Sequence, residues 1–325
     1  MNKIGWGIAG LGKIAHSFAR DLLLVPDAEL IAVASSNATR AQEFGAQYQA
    51  KKKYDNYAAL YEDSEVQIIY IASLHPHHKA MTIAALEAGK AVLCEKPLTM
   101  SAADVRELMD VAKRTGVFCM EALWTRFNPT FAKAEALIAN GSIGPLRYIN
   151  ASFSFNGLDR DEDSRLFNPS KGGGTLLDIG IYPLFLAYQL LGKPKDIQAS
   201  ALLTTQGIDA QLSLLLTYEK AHAVLHSSVL HDEDMQARIC GEKGAIYIGS
   251  RWHESPEIKW IVEDEVQEEK FDFVGKGYSY EIEESHRCLR EGLPESPKWT
   301  LSNSLELMEL MESILKQCGI QYPQN

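Results

Sequence analysis

Apolar and polar positions along the chain follow two regimes. In roughly the first 120 residues, runs that are apolar throughout alternate with stretches of helical period. Residues 3–9 (KIGWGIA) predict a buried strand, 13–25 (KIAHSFARDLLLV) an amphipathic helix stopped near Pro26, and 28–34 (AELIAVA) a second strand, with a helix from about Thr39. Residues 66–73 (VQIIYIAS) predict another strand, and a helix from about His77 to Ala88 ends at Gly89. A strand over 91–94, a helix near 102–115 and a strand over 117–120 follow. Strands alternating with helices, each strand apolar on both faces, predict an α/β unit with a parallel doubly wound sheet.

The pattern changes after about Glu121. Ala151, Phe153 and Phe155 alternate with Ser152 and Ser154, the period of a half-exposed strand. Further strand-like runs cover about 197–205, 210–218, 221–230, 235–240, 244–249, 257–263 and 268–273, with helices at 278–291 and 302–318. So many consecutive strands predict an α+β unit on a largely antiparallel open sheet. The division is expected between 121 and 122, with no repeat and no low-complexity linker to mark it.

Candidate chemistry begins where the first strand meets the first helix. Gly10-Leu11-Gly12-Lys13-Ile14-Ala15 fits G-x-G-x-x-[G/A], the turn that brings a pyrophosphate to a helix N-terminus. The strand–turn–helix setting distinguishes it from an ordinary glycine turn. The second strand ends in Ser35-Ser36-Asn37, with Arg40 beyond. An NAD site usually has Asp or Glu there for the ribose 2′-hydroxyl. Hydroxyls and a guanidinium suit a 2′-phosphate instead, so the expected cofactor is NADP, with NAD the alternative. The competing reading of Arg40 is a solvated helix residue.

Glu95-Lys96-Pro97 follows the apolar run 91–94. A lysine at the carboxyl end of a strand in a doubly wound sheet faces the ligand crevice, where desolvation can lower its pKa for proton exchange. Gly172-Gly173-Gly174-Thr175 leads into an apolar helix ending near Leu191. If that helix already includes Asp178, then Asp178 and Tyr182 are four residues apart on one face, and Pro183 weakens the turn beside them. Asp178 as a helix cap and Tyr182 as a core tyrosine are the alternatives. His75, His77 and His78 lack a Cys or carboxylate partner at diagnostic spacing, so no metal is expected.

Composition narrows the class. The 325 residues are 46% apolar and 23% charged, with a formal charge of −11. That is a globular composition and a poor one for phosphate backbones, so no nucleic-acid partner is expected. The five cysteines are scattered, as free thiols in a reducing compartment are. The sequence shows no signal-peptide layout and no stretch expected to span a membrane, which makes a cytoplasmic protein the default expectation.

Gly10-x-Gly12-x-x-Ala15, Glu95-Lys96-Pro97 and the 172–182 segment together resemble the glucose-fructose oxidoreductase / inositol dehydrogenase (Gfo/Idh/MocA) family, over essentially the whole chain. Residues 120–127 (MEALWTRF) and Tyr182 resemble the branch of dimeric dihydrodiol dehydrogenases and NADP-dependent D-xylose dehydrogenases, where many other members carry histidine at the tyrosine position. The resemblance implies an N-terminal Rossmann domain, 1–121, and a substrate-binding and oligomerisation domain, 122–325. It implies NAD(P)-dependent hydride transfer at a carbinol or carbonyl carbon of a sugar, polyol or cyclic trans-diol. Lys96 and Tyr182 correspond to the catalytic pair and Asp178 to the carboxylate that supports them or the substrate. Gly10, Gly12, Lys13, Ile14, Ser35, Ser36, Arg40, Ser73, His75, His78, Glu95 and Lys96 correspond to the cofactor side. Trp124, Arg126, Phe155, Arg165 and Phe167, with Tyr182, are the substrate-side candidates. His75 stands where the family usually has asparagine, and Ser36 where an NADP-binding arginine often sits. A homo-dimer or homo-tetramer through the C-terminal sheet is implied. The alternative function is a dinucleotide-binding sensor or regulator without turnover.

Overall fold

The computed structural model describes residues 2–323. The chain divides into two compact units, the first comprising residues 1–127 with 273–308 and the second 128–272 with 309–325. The segment 273–308, contiguous in sequence with the second unit, thus clusters with the first.

In the first unit the chain runs β1 (Ile4–Ala9), α1 (Lys13–Leu22), β2 (Ala28–Ala34), α2 (Ala38–Gln47), β3 (Lys52–Tyr54), α3 (Tyr57–Glu62), β4 (Ile68–Ile71), α4 (His78–Glu87), β5 (Ala91–Glu95), α5 (Ala102–Thr115) and β6 (Cys119–Ala122). The six strands pair in parallel in the order β3-β2-β1-β4-β5-β6. This is the doubly wound order, whose direction reverses between β1 and β4. Every residue of β1, β4, β5 and β6 is buried, as a sheet covered on both faces requires. The β1–α1 turn depends on Gly10, whose φ is +89°; a Cβ there would lie 2.7 Å from the Ser73 amide nitrogen. α5 starts where the Ser101 hydroxyl accepts the Asp104 amide and stops at left-handed Gly116, so its bounds match those read from sequence. β3 and α3 were not expected; α3 is begun by Asn56, which accepts the Ala59 amide.

The second unit starts with α6 (Pro129–Ala139), also unexpected, whose proline sits in the first turn where no amide is needed. β7 (Leu146–Ser154) precedes α7 (Ile181–Leu191), and β8 (Asp196–Leu203), β9 (Asp209–Thr217), β10 (His222–Ser228), β11 (Ala237–Gly241), β12 (Gly244–Ile248), β13 (Glu257–Val262) and β14 (Glu265–Lys270) follow. They form one sheet in the order β14-β13-β12-β11-β7-β10-β9-β8, antiparallel except for the β7–β10 pair. The expected largely antiparallel sheet is therefore present. Leu212, Leu214, Leu216, Ala223 and Leu225 point to its buried face. α8 (Ser279–Glu291) belongs to the first unit, and α9 (Leu301–Gln317) contributes residues to both.

One expectation is corrected. Residues Pro169–Leu191 are long and apolar enough to cross a membrane by length and composition, although 83% of their most apolar window is buried inside the protein. A helix apolar on every side is what a core position demands. Phe185, for example, is fully buried and packs on Phe131 with ring centroids 5.2 Å apart.

Candidate active site

The first unit presents a cradle for an anion. The N-terminus of α1 has no side-chain cap, so the amides of its first turn are free for a ligand. Gly12 precedes it, exposed, with no atom within 4 Å of where a Cβ would lie. A side chain would fill that space, and its lack lets a pyrophosphate approach. Lys13 and Ile14 open the helix. At the end of β2, the buried Ser35 hydroxyl accepts the Asn37 amide at 3.1 Å, and Asn37 caps α2 by accepting the Arg40 amide at 2.9 Å. Ser36 and Arg40 are exposed beside them. The residues present leave room for a dinucleotide pyrophosphate at the α1 N-terminus.

Lys96 lies immediately past β5, only 8% exposed, and its bond to Pro97 is cis. Glu95 accepts the Tyr70 hydroxyl, and the Tyr70 ring stacks on Phe18 with centroids 3.6 Å apart. Two buried side chains pin the loop that follows. His78 contacts the Pro97 carbonyl through Nδ1 at 2.8 Å and the Ser73 carbonyl through Nε2 at 3.2 Å. Burial lowers its pKa to about 4, against the pull of those two carbonyls. A neutral ring has one N–H, and the shorter contact assigns it to Nδ1. Glu121, from β6, accepts the Leu98 amide at 2.8 Å, the Trp299 indole N–H at 3.0 Å and the Ser304 hydroxyl at 2.6 Å. Burial pushes its carboxyl up, opposed by those bonds and by the charge of Lys96. Pro97 and Leu98 are thus held from opposite sides, which sets where the Lys96 side chain starts.

Around this loop, His75 is buried edge-on to His78 at 5.6 Å, and Ser73 is half-buried. Trp124 stacks on Tyr278 at 4.6 Å with ring planes 6° apart, and Arg126 donates its Nε to the Lys298 carbonyl at 2.9 Å. Asp21 accepts the amides of Lys276, Gly277 and Tyr278 at 2.8 to 3.0 Å, fixing the entry to α8. Glu281 is fully buried and neither of its carboxyl oxygens has a hydrogen-bond partner among the described residues. Burial first, then the charges of Glu95 and Asp21, push its carboxyl well above the usual range.

In the second unit Asp178 and Tyr182 flank the entry to α7. Residues Leu176–Gly180 are wound as a π-helical turn, a form sequence did not indicate. Such a turn closes over five residues, so a spacing of four still leaves the two side chains on neighbouring azimuths. Asp178 is ion-paired to Arg165 at 3.0 Å, joining two residues that sequence assigned to different roles. Tyr182 is buried, its ring 5.5 Å from both Phe153 and His253. His253, itself stacked on Phe153 at 4.1 Å, was not anticipated. It lies in a loop without periodicity, and only the fold brings it to the tyrosine. Phe155 and Phe167 are half-buried, and Phe155 lies under the Arg160 guanidinium at 5.5 Å. Among the described residues no group of three or more His, Cys, Asp and Glu side chains is placed to hold a metal ion.

Two family models match this chain in succession. Residues 4–123 match the oxidoreductase family with an NAD-binding Rossmann fold, and 131–247 match the GFO/IDH/MocA C-terminal domain. The trans-1,2-dihydrobenzene-1,2-diol dehydrogenase of Xenopus tropicalis is 36% identical over 333 residues, covering 98% of this chain and 99% of that protein. The Homo sapiens enzyme of that name is 34% identical over 333 residues, covering 98% of each. Among solved structures, the aldose-aldose oxidoreductase of Caulobacter crescentus shares the fold, with a TM-score of 0.89 at 22% identity, over 98% of both chains. With both units matched and full-length relatives above 30% identity, the chain belongs to the GFO/IDH/MocA oxidoreductase family.

Proposed function

We propose that this protein is an NADP-preferring dehydrogenase or reductase acting at a CH–OH or carbonyl carbon of a cyclic trans-diol, sugar or polyol. The observation that carries this reading is the full-length similarity to trans-1,2-dihydrobenzene-1,2-diol dehydrogenases. A 3-ketoreductase from Actinomadura kijaniata in complex with TDP-benzene and NADP adds support, at 25% identity and a TM-score of 0.82 over 96% of this chain and 97% of that chain.

Bound NADP supplies the hydride acceptor, or in its reduced form the donor. Gly10, Gly12, Lys13 and Ile14 would receive its pyrophosphate, and Ser35, Ser36 and Arg40 would hold its 2′-phosphate. Ser73, His75, His78 and Glu95 line the approach to Lys96. Tyr182 gives or takes the hydroxyl proton, beside the Phe153 and His253 rings, which suit an apolar ring face. The ammonium of Lys96 favours the phenolate or alkoxide that forms as the proton moves. Asp178, held by Arg165, orients a substrate hydroxyl. Trp124, Arg126, Phe155 and Phe167 complete the substrate side. The protein is read as cytoplasmic and as a homo-dimer or homo-tetramer. Leu202, Leu203, Val224 and Val266, exposed on strands of the C-terminal sheet, support assembly through that sheet, and sedimentation velocity measures it.

The test is initial rates with NADP and NAD on trans-1,2-dihydrobenzene-1,2-diol and D-xylose. Tyr182→Phe and Lys96→Met lose roughly 100-fold or more in kcat, the scale of a positioned proton-transfer group, while the Kd for NADPH stays unchanged. Near-normal turnover in both variants refutes the assignment. NADPH binding without turnover of any diol or sugar identifies a sensor instead.

A further inference from the structure

We infer that Asp209 is a positioning residue that sets the geometry of the 172–182 segment and thereby the aim of Asp178 and Tyr182. The inference rests on the reading of those two residues as site groups. The helix that carries them has no side-chain cap of its own. Its natural candidate, the Thr175 hydroxyl, is turned instead onto Asp209 at 2.5 Å, and the same carboxylate oxygen accepts the Leu176 amide at 2.6 Å. A carboxylate from the start of β9, more than thirty residues along the chain, thus does the work of a local cap.

The glycine run makes this approach possible. Gly174 has φ +105°, and a Cβ on it would lie 2.5 Å from the other Asp209 oxygen and 2.8 Å from the Tyr322 hydroxyl. Tyr322 donates to the Gly173 carbonyl at 2.6 Å, and Ser227 of β10 donates to the Thr175 hydroxyl at 3.2 Å. A Cβ on Gly180 would meet the Ser227 hydroxyl at 2.9 Å, so the π turn is seated against the same strand. The entry to α7 is therefore bolted to β9, β10 and the 320s segment.

The arrangement is costly, which argues that it is not incidental. Asp209 is 1% exposed, and its Oδ1 has no hydrogen-bond partner among the described residues. Burial pushes its carboxyl up to about 6 despite the bonds from Thr175 and Leu176. The other titratable groups facing it are Cys318 on α9 and Tyr322, both pushed up by burial and by the Asp209 charge and so neutral near pH 7. No cation offsets it among the named contacts, so its retained role is to hold hydroxyl and amide donors in place.

The experiment combines kinetics on trans-1,2-dihydrobenzene-1,2-diol with hydrogen exchange of the amides of 175–182, for Asp209→Ala, Asp209→Asn and Thr175→Val. Asp209→Ala is expected to lower kcat by about 10- to 100-fold, the effect of misplacing a reacting group by about an ångström. The KM for NADP should stay within about twofold and exchange across 175–182 should accelerate. Asp209→Asn, which keeps an acceptor in the same place, should restore most of both. Thr175→Val, which removes one bond and leaves the carboxylate, should show a few-fold loss and decides the matter if Asp209→Ala does not fold. Wild-type exchange over 175–182 in Asp209→Ala, or in Thr175→Val where that variant decides, overturns the inference whatever happens to kcat. Tyr182→Phe is run beside them. If it turns over normally, the functional reading falls, and exchange alone still decides whether Asp209 positions the segment.

Discussion

Lowering the pH should loosen the first unit through His78. Its pKa falls from 6.5 to about 4 on folding because burial disfavours the charged ring. The unfolded chain therefore binds the proton more readily between these values, and stability rises with pH across the window. The contribution is fully present above pH 6.5 and is lost as pH falls towards 4. A shift of about 2.5 units corresponds to about 3 kcal/mol in all, of which about 2 kcal/mol is lost between pH 7.5 and pH 5. His78→Asn removes the titration while its amide can still donate to the Pro97 carbonyl, and its lost packing adds an offset that does not vary with pH. The quantity to measure is the opening free energy of β1, β4 and β5 by urea-dependent hydrogen exchange, in wild type and variant at both pH values. The advantage of the wild type should shrink by about 2 kcal/mol on going to pH 5. A difference that stays flat, or a His78 resonance titrating near 6.5 in the native protein, refutes the reasoning.

Asp209 gives the opposite slope in the second unit. Its folded pKa of about 6 lies above the usual 3.8, so its stabilising contribution is present below pH 3.8 and lost as pH rises towards 6, a cost of about 3 kcal/mol when ionised. Exchange in β9 and β10 of Asp209→Asn should lack that slope, and an unchanged slope counts against the assignment. The two fingerprint glycines should fail differently. Gly10→Ala places a Cβ against backbone at a left-handed φ and should lower Tm, with strain of about 1–3 kcal/mol before any clash is counted. Gly12→Ala meets nothing within 4 Å, so it should fold normally and lose NADPH affinity; a normal Kd by fluorescence titration would show that no pyrophosphate passes there.

Local signals made some of this legible in sequence. β2 and α5 were bounded correctly because apolar runs, Ser101 and Gly116 act within a few residues. β3 was missed because Lys-Lys-Tyr is short and half-buried, without a pattern to read. α6 gives a weaker signal than α5, because its N-terminus has no side-chain cap hydrogen bond. The π turn depends on where Ser227 and Asp209 stand, information that lies thirty to fifty residues away. The same holds for the candidate site. Lys96, Asp178 and Tyr182 stand in compact motifs, whereas Glu121, Asp209 and His253 become meaningful only through partners distant in sequence. Buried acids are hard to anticipate, because their partners decide whether they are tolerated.

The return of residues 273–308 to the first unit has a consequence for synthesis on the ribosome. Asp21 takes its three amides from 276–278, Trp6 donates to His286, and Glu121 is satisfied by Trp299 and Ser304. When residue 127 leaves the exit tunnel, those partners are still about 150 to 180 residues away, a wait of roughly 7–35 s at ordinary elongation rates. Through that interval the nascent Rossmann unit carries the Asp21 carboxylate and the Trp6 indole N–H without these partners, and Glu121 with the Leu98 amide but neither Trp299 nor Ser304. It is then an unfinished domain.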